Sequence, residues 1–253
     1  MYYLFDGTYI GFLCCVFESF ERREFDVIPF AQEDHQIDMF AESRTIVTDD
    51  VKARRVQSGL QKRVGKARAM DFYQVFLSED RKSWHASFFI LYQIFSGQDD
   101  IRQHYGDDKV LYFSQMLKKV SRERHRMKAF VRFSKSEDGL FFALIEPDFN
   151  VLPLISNFFR KRYADMSWLI YDVKRKYGLL FDTQQIREVW LTPADMKGVT
   201  TAAVTIAMDE RDELFQRLWK QYYTSTNIEA RKNLKLHLQH VPKRYWKYLV
   251  EKK

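Results

Sequence analysis

One histidine and three carboxylates in the middle of the chain have the side chains needed for acid-base chemistry. His125 is a candidate general acid or base, because a histidine titrates near neutral pH. Glu146, Asp148 and Asp172 follow it along the chain. If they converge with His125 in one cleft, this candidate catalytic set predicts a hydrolase or a glycosylase-like enzyme. A single histidine is more often structural, so both interpretations stay open.

The same region also matches, in its letters, the split signature of metal-dependent nucleases. Pro147-Asp148 is followed by Asp172-Val173-Lys174. In such nucleases the carboxylates hold Mg²⁺ and the lysine helps to activate water. A helix is predicted between the two halves, whereas this chemistry needs them on neighbouring strands. The loop at residues 146–150 is equally well explained as the turn that caps the following helix.

Basic residues form a second set of candidates, which would contact phosphate groups. Seven cations lie close together from residue 118 onward: Lys118, Lys119, Arg122, Arg124, Arg126, Lys128 and Arg132. Each phosphate contact by such a side chain releases counterions, so clustered cations favour nucleic acid. A solvated helix face explains them equally well. The residues predicted to bind nucleic acid are Arg126, Arg132, Lys174, Arg175, Arg231, Lys243, Arg244 and Trp246.

The charge of the chain is strongly segregated. Its total is +7, yet residues 1–50 carry 11 acidic and 3 basic side chains. Residues 52–68 carry seven basic side chains and no acidic one, and residues 217–253 carry ten basic and two acidic ones. In the last segment basic residues alternate with Tyr and Trp, whose flat faces can stack on bases. The same rings would also serve as core residues.

Composition limits the class of protein. The 253 residues are 46% hydrophobic and include 22 Phe, 9 Gly and 5 Pro, which predicts an ordered single domain over residues 1–253. The adjacent pair Cys14 and Cys15 cannot close a structural loop, which favours a reducing cytoplasm. The sequence shows no signal peptide and no membrane span. Gly-rich phosphate loops and zinc-binding pairs are absent, so we expect no cofactor and no metal.

The hydrophobic periodicity predicts an α+β fold with a mainly antiparallel sheet, a helical insertion at about residues 50–128 and a helical C-terminal tail. A strand, a turn at Gly7 and an amphipathic helix open the chain. Asp49 and Asp50 are expected to start the basic helix that ends at Val64. Hairpins are predicted from strands 129–133 and 140–145 and from strands 168–171 and 177–181, with a helix at 152–163 between them. A strand follows at 188–191, helices are expected from residue 209 onward, and Pro242 is expected to begin the last one.

The order of several motifs resembles a bacterial family of unknown function labelled "probable DNA metabolism protein". The matching segments are Phe5-Asp6-Gly7 onward to Glu18, Glu123-Arg124-His125-Arg126-Met127 with Arg132-Phe133, Glu146-Pro147-Asp148-Phe149-Asn150, Trp168-Leu169-Ile170-Tyr171-Asp172 and Pro242-Lys243-Arg244-Tyr245-Trp246-Lys247. Phe149 stands where the family has a histidine, so the resemblance implies no second catalytic histidine in this loop.

The resemblance implies a context more than a reaction. Members are similar to companions of a radical-SAM DNA modification or repair protein, and some are fused to a uracil-DNA-glycosylase-like domain. We therefore expect a cytoplasmic, DNA-binding accessory protein whose radical-SAM partner is supplied in trans. The alternative is a hydrolase, such as a metal-dependent nuclease or a glycosylase-like enzyme. The acidic stretch from Glu33 to Asp50 is expected either to dock a protein or to neutralise the basic helix that follows it.

Overall fold

Four consecutive helices lie between two groups of strands, which confirms the α+β class and the helical insertion. The computed structural model describes residues 1–32, 42–98, 101, 104–135, 139–190, 199–200, 203–204 and 241–249. The chain divides into two compact units, Met1–Ser121 and Arg122–Lys253. That the whole chain is one domain stays a prediction. In the part of the chain that the structure describes, no helix is both long and apolar enough to cross a bilayer.

The first unit contains a small parallel sheet and most of the helices. Its elements are β1 (Tyr2–Phe5), α1 (Tyr9–Arg22), β2 (Ile28–Ala31), β3 (Ser43–Thr45), α2 (Asp50–Val64), α3 (Lys66–Phe76), α4 (Arg81–Phe95) and the first part of α5 (Asp108–Phe130). The sheet order is β2-β1-β3, and both pairs are parallel. A mainly antiparallel arrangement is therefore wrong for this sheet. The physical reason is that α1 links β1 to β2 as a crossover helix, and a crossover returns the chain in the same direction.

Aromatic side chains fill the core of the first unit. The ring of Phe5, at the end of β1, lies 5.4 Å from the ring of Trp84 and 6.2 Å from that of Phe12. Phe76 stacks on Trp84 at 5.4 Å, and Trp84 Nε1 donates to the Phe76 carbonyl at 3.0 Å. On α1, Phe12, Leu13 and Val16 are buried, whereas Ile10 is 40% exposed.

The turn between β1 and α1 is fixed by a small hydrogen-bond network. Asp6 Oδ1 accepts from the amide and the hydroxyl of Thr8, while Asp6 Oδ2 accepts from Thr48 Oγ1 at 2.6 Å. Thr8 in turn caps α1 by accepting from the Gly11 amide at 3.0 Å. A β-carbon at Gly11 would overlap the Asp6 carboxylate and lie 2.9 Å from Thr48 Oγ1. The turn therefore leaves no room for a side chain at position 11.

We expect Gly11→Ala to lower the free energy of unfolding by about 1 to 3 kcal/mol, because the added methyl group forces apart a closely packed network. The measurement is urea denaturation of both proteins. Gly106→Ala is the matched control, since nothing lies within 4 Å of a β-carbon there, and we expect it to stay within about 0.5 kcal/mol of wild type. Equal stability of the two variants would contradict the rigid turn.

Asp49 caps α2 as predicted. Its Oδ1 accepts from the amides of Val51 at 2.7 Å and Lys52 at 3.1 Å. Cys14 supports the same cap, since its buried Sγ accepts from the Asp49 amide at 3.3 Å. The end of the acidic stretch is therefore used to start the basic helix, while residues 33–41 lie outside the described residues.

The second unit contains a five-stranded sheet and one crossover helix. Its elements after α5 are β4 (Ser134–Lys135), β5 (Phe141–Ile145), α6 (Leu152–Arg162), β6 (Trp168–Asp172), β7 (Tyr177–Phe181), β8 (Ile186–Val189), β9 (Val199–Thr200), β10 (Ala203–Val204) and a 3₁₀ helix (Lys243–Tyr248). The sheet order is β4-β5-β6-β7-β8. Its β5-β6 pair is parallel and its other three pairs are antiparallel, which confirms a mainly antiparallel sheet.

The strand predicted at residues 129–133 is wrong, because α5 continues to Phe130. Val120, Glu123, Met127 and Val131 are all buried, and their spacing is that of one helix face. The Val131 amide also donates to the Met127 carbonyl at 3.1 Å. Only Ser134–Lys135 then pairs with β5. The other boundaries shift little, and the helix predicted after Pro242 is the 3₁₀ helix. The helices predicted from residue 209 lie outside the described residues.

Candidate functional site

Four segments of the second unit meet around the loop that follows β5. They are the last turns of α5, the loop of residues 146–150, the turn between β6 and β7, and the 3₁₀ helix. The loop and the turn meet because β5 and β6 are parallel neighbours, with Ile145 opposite Asp172 in the register. Parallel strands bring their carboxyl ends to the same edge of a sheet. Two segments about 25 residues apart are thereby brought together.

Three tyrosine hydroxyls hold this loop. Tyr248 Oη donates to Glu146 Oε2 at 2.7 Å, and Tyr177 Oη donates to Asn150 Oδ1 at 2.5 Å. Burial raises the pKa of both phenols, which keeps them protonated as donors. The third tyrosine, Tyr245, acts indirectly through the carboxylate of α5. The loop is thus held at its beginning and at its end.

That carboxylate belongs to Glu123, whose residue surface is only 2% exposed. Its Oε1 accepts from the Asp148 amide at 2.9 Å and from the hydroxyl of Tyr245. Its Oε2 lies 3.5 Å from Arg244 Nη2 and 3.7 Å from Arg126 Nη1. A buried carboxylate is tolerated when it is paired and hydrogen-bonded in this way. Glu123 therefore joins α5, the loop and the 3₁₀ helix.

The turn between β6 and β7 is closed by a buried ion pair. Asp172 is fully buried, and it accepts from the amides of Lys174 and Arg175 at 3.0 and 3.1 Å. Arg175 Nη1 donates to Asp172 Oδ2 at 2.9 Å and to the Pro147 carbonyl at 3.1 Å, and Nη2 donates to the Asp148 carbonyl at 3.1 Å. Burial raises the pKa of Asp172, although Arg175 opposes that effect. Arg175 thus fastens the turn to the loop.

These segments line an open groove of about 440 Å³, which we term the loop groove. Its lining residues are Glu146, Pro147, Asp148, Lys174, Lys243, Arg244 and Lys247. Two of its four cations are neutralised locally, because Lys247 pairs with Glu146 and Arg244 pairs with Asp148. The pairing with Lys247 lowers the pKa of Glu146, as does the hydrogen bond from Tyr248.

The other two cations of the loop groove form no ion pair with a carboxylate among the residues that the structure describes. Lys174 Nζ donates to the Asp148 carbonyl at 3.3 Å, and its charge also helps to lower the pKa of Glu146. Both Lys174 and Lys243 are exposed. The groove therefore has two more positive than negative side chains. This excess of positive charge gives the groove a local field that attracts anions.

Comparison with known proteins gives a family. A family model described as a domain of unknown function, DUF4130, matches residues 81–251, which is more than half of the 253-residue chain. The chain belongs to the DUF4130 family. No curated protein and no solved structure matches it. The matched DUF4130 segment begins where α4 begins and contains the whole loop groove.

Several predicted binding residues of the DUF4130 segment lie at this site. Lys174, Lys243 and Arg244 line the groove, while Arg175 has a structural role and is 9% exposed in its side chain. Arg126 lies beside Glu123 at the back of the same site. A guanidinium enclosed by protein acceptors has little left for a phosphate, so the structure gives Arg175 a positioning role.

The remaining predicted binding residues are placed differently. Arg132 Nη1 donates to the Ala129 carbonyl at 2.6 Å and to the Val131 carbonyl at 3.3 Å, which closes the end of α5. Trp246 Nε1 donates to the Val241 carbonyl at 3.1 Å, and its ring is half-buried. Arg231 lies outside the described residues. The side chains of Arg132 and Trp246 therefore donate to nearby backbone carbonyl groups of the DUF4130 segment.

The structure does not bring the candidate catalytic set together. His125 is exposed, two residues after Glu123 on α5. Side chains two positions apart on a helix point to nearly opposite sides, so His125 faces away from the side of α5 that contacts the loop. Glu146, Asp148 and Asp172 do lie around one loop, but each is already paired with a cation. Among the described residues of the DUF4130 segment, no arrangement of side chains therefore favours the hydrolase.

The two halves of the nuclease-like signature lie at the ends of neighbouring strands, because Pro147-Asp148 follows β5 and Asp172 ends β6, so the argument from the intervening helix was wrong. α6 is a crossover between β5 and β6, so it joins the halves and does not separate them. Both oxygens of Asp172 are nevertheless occupied by the turn amides and Arg175. Among the residues that the structure describes, no three His, Cys, Asp or Glu side chains are grouped to hold a metal ion.

Several important residues of the site were not among the site residues predicted from the sequence, and they include Glu123, Tyr177, Lys247 and Tyr248. The burial of Glu123 could have been predicted from the sequence, because it lies on the same face of α5 as the buried residues Val120 and Met127. A charged residue at such a position needs partners. The two tyrosines and the lysine carry no comparable signal, since their partners are distant in sequence.

Proposed function

We propose that the chain is a nucleic-acid-binding accessory protein of DNA repair or modification, which binds the DNA backbone through the loop groove and acts with a radical-SAM protein. The observation that carries the proposal is the pair of exposed lysines, Lys174 and Lys243, which form no ion pair with any residue that the structure describes, whereas the other two cations of the groove are paired. Each lysine presents a strongly hydrated ammonium with donors for phosphate oxygens.

A nucleic-acid backbone suits the loop groove better than an isolated small anion does. The groove is open to solvent and its side chains come from three segments, so consecutive phosphates have room along it. Lys247 and Arg244 remain 47% and 44% exposed even though they are paired. They add to the local positive field that attracts a polyanion before contact. The net charge of +7 acts in the same direction.

The test is a titration of labelled single- and double-stranded oligonucleotides with wild type and with Lys174→Gln/Lys243→Gln, at salt concentrations from about 50 to 200 mM. Loss of two phosphate contacts is expected to raise Kd by roughly tenfold per contact at 0.1 M salt. It should also make the slope of log K against log salt shallower by about 2.

Lys66→Gln/Lys82→Gln is the matched control, because it removes the same charge from exposed lysines of α3 and α4. It is expected to change the slope by much less. Absence of binding by wild type at low salt, or equal salt slopes for all three proteins, would refute the proposal. Binding that both variants weaken equally would show that total charge, and not the groove, is responsible.

A further inference from the structure

The first unit has a second groove, formed by α1, α2 and α4, which is not used by the proposed function. We term it the helix groove. Its volume is about 570 Å³, and this volume is typical of ligand pockets. Its lining residues are Val16, Phe17, Phe20, Arg23, Arg55 and Phe95, with Glu21 and Val56.

The floor of the helix groove is aromatic. Phe20 is only partly buried, and its ring stacks on that of Tyr92 at 5.5 Å and meets that of Phe95 at 6.1 Å. Phe25 packs against both Phe20 and Tyr92, yet it remains 43% exposed. An apolar surface of this kind on a monomer often marks an interaction site.

Two arginines, Arg23 and Arg55, line the helix groove beside this aromatic floor. Arg55 lies over the ring of Phe17 at 5.2 Å, and Arg23 borders the groove from the end of α1. On α2 the cationic stripe continues through Arg54 and Lys62, which line a shallower groove of about 430 Å³ beside Arg55. No acidic residue lines that shallower groove. The floor is thus apolar and its α2 side is positive.

Gly59 lines the shallower groove and lies next to Phe95 of the helix groove. A β-carbon at this position would lie 3.1 Å from the ring of Phe95, so α2 can approach α4 closely only because position 59 has no side chain. Arg63, one turn later, donates to the Ile94 carbonyl at 3.0 Å and fixes the end of α4. The close approach at Gly59 and the hydrogen bond from Arg63 therefore fix α2 against α4 beside the helix groove.

We propose that the helix groove binds an acidic amphipathic α-helix from another protein. Apolar side chains spaced three and four residues apart on such a helix would pack on Phe20 and Phe95, and its flanking carboxylates would face Arg54, Arg55 and Lys62. This charge complementarity identifies the partner's chemistry.

A nucleic acid suits the helix groove less well. The ring of Phe17 is covered by Arg55 and Lys52, and one side of Phe20 is covered by Tyr92, which reduces the area on which bases could stack.

The test is a selection of displayed 18-to-20-residue peptides, all with an amphipathic helical pattern of apolar residues and randomised flanking positions, against the full chain (roughly five helical turns). Acidic flanks should be enriched. The enriched peptides are then titrated against Arg55→Glu, Glu21→Lys and the control Lys66→Glu. Arg55→Glu is expected to weaken binding about tenfold or more at low salt, and Glu21→Lys to strengthen it by a few-fold.

Lys66→Glu should leave the affinity within about twofold, because this exposed residue lies outside the helix groove. Circular dichroism of each variant separates lost binding from lost folding, and a gain in Glu21→Lys cannot result from misfolding. The proposal is overturned if basic or neutral flanks are enriched, or if the enriched peptides bind Arg55→Glu as well as wild type. It is also overturned if Arg55→Glu abolishes oligonucleotide binding or self-association and leaves peptide binding unchanged.

Discussion

Replacement of Glu123 by alanine is expected to lower the free energy of unfolding by about 3 to 5 kcal/mol. The carboxylate is buried, and it accepts from the Asp148 amide and the hydroxyl of Tyr245. Alanine leaves both donors without their acceptor and removes one of the two carboxylates that pair with Arg244. Each buried donor without a partner costs about 1 to 3 kcal/mol. The variant therefore loses the link between α5, the loop and the 3₁₀ helix.

Urea denaturation measures this loss of stability. Two further variants show how much of the loss comes from one donor and how much any exposed glutamate would give. Tyr245→Phe keeps the ring that contacts Phe130 and removes one donor, so we expect a loss of about 1.5 to 3 kcal/mol. Glu188→Ala, on the exposed side of β8, is the control and should change the stability by less than about 0.5 kcal/mol. A Glu123→Ala variant as stable as Glu188→Ala would show that the buried network does not hold the site together.

The second large effect is expected for Arg175→Met, which leaves the buried carboxylate of Asp172 without its cation. Breaking a buried ion pair in this way costs about 3 to 5 kcal/mol. The loss should be smaller in Asp172→Asn/Arg175→Met, because an amide can still accept from the turn amides and carries no charge. Lys176→Met is the control for replacing a basic residue of this turn by methionine, because Lys176 is exposed.

The instability of Arg175→Met should also depend on pH. Burial already raises the pKa of Asp172 in the folded protein, and loss of the opposing cation raises it further. A folded pKa above the unfolded one means that the folded state binds more protons, so stability falls as the pH rises through the folded pKa. Chemical denaturation at mildly acidic and neutral pH should show Arg175→Met nearest to wild type under acidic conditions. A difference independent of pH would argue that Arg175 acts only through its bonds to carbonyl groups.

Local signals in the sequence predicted most of the helices and strands. The N-cap at Asp49, the helix after Val151, the hairpin of β6 and β7 and the start of the last helix after Pro242 all follow from residues near the element they define. The end of α5 was wrong because alternating apolar residues at 129–133 suggested a strand. The buried spacing from Val120 to Val131 shows that the helical period continues instead.

Strand direction and the site itself were harder to predict. The order strand, helix, strand at β1-α1-β2 and at β5-α6-β6 implies parallel pairs, and the antiparallel expectation overlooked that rule. Lys174, Lys243 and Arg244 were predicted from their charge, but charge alone could not separate Arg175, which is enclosed by carbonyls and Asp172. Whether a cation is paired with a group inside the protein depends on tertiary contacts, and these leave no pattern in the nearby sequence.

The loop groove has a consequence for the order of folding. Tyr245 and Glu123 are 122 positions apart, and Tyr248 and Glu146 are 102 positions apart. Contacts between such distant residues form slowly, because the entropy of loop closure opposes them until other structure is in place. The hairpin that carries Lys174 is local and can form early, but Lys243 joins it only when these distant contacts are made. A partly folded chain would therefore have one lysine of the pair without the other, so that the two lysines lie side by side in the fully folded protein alone.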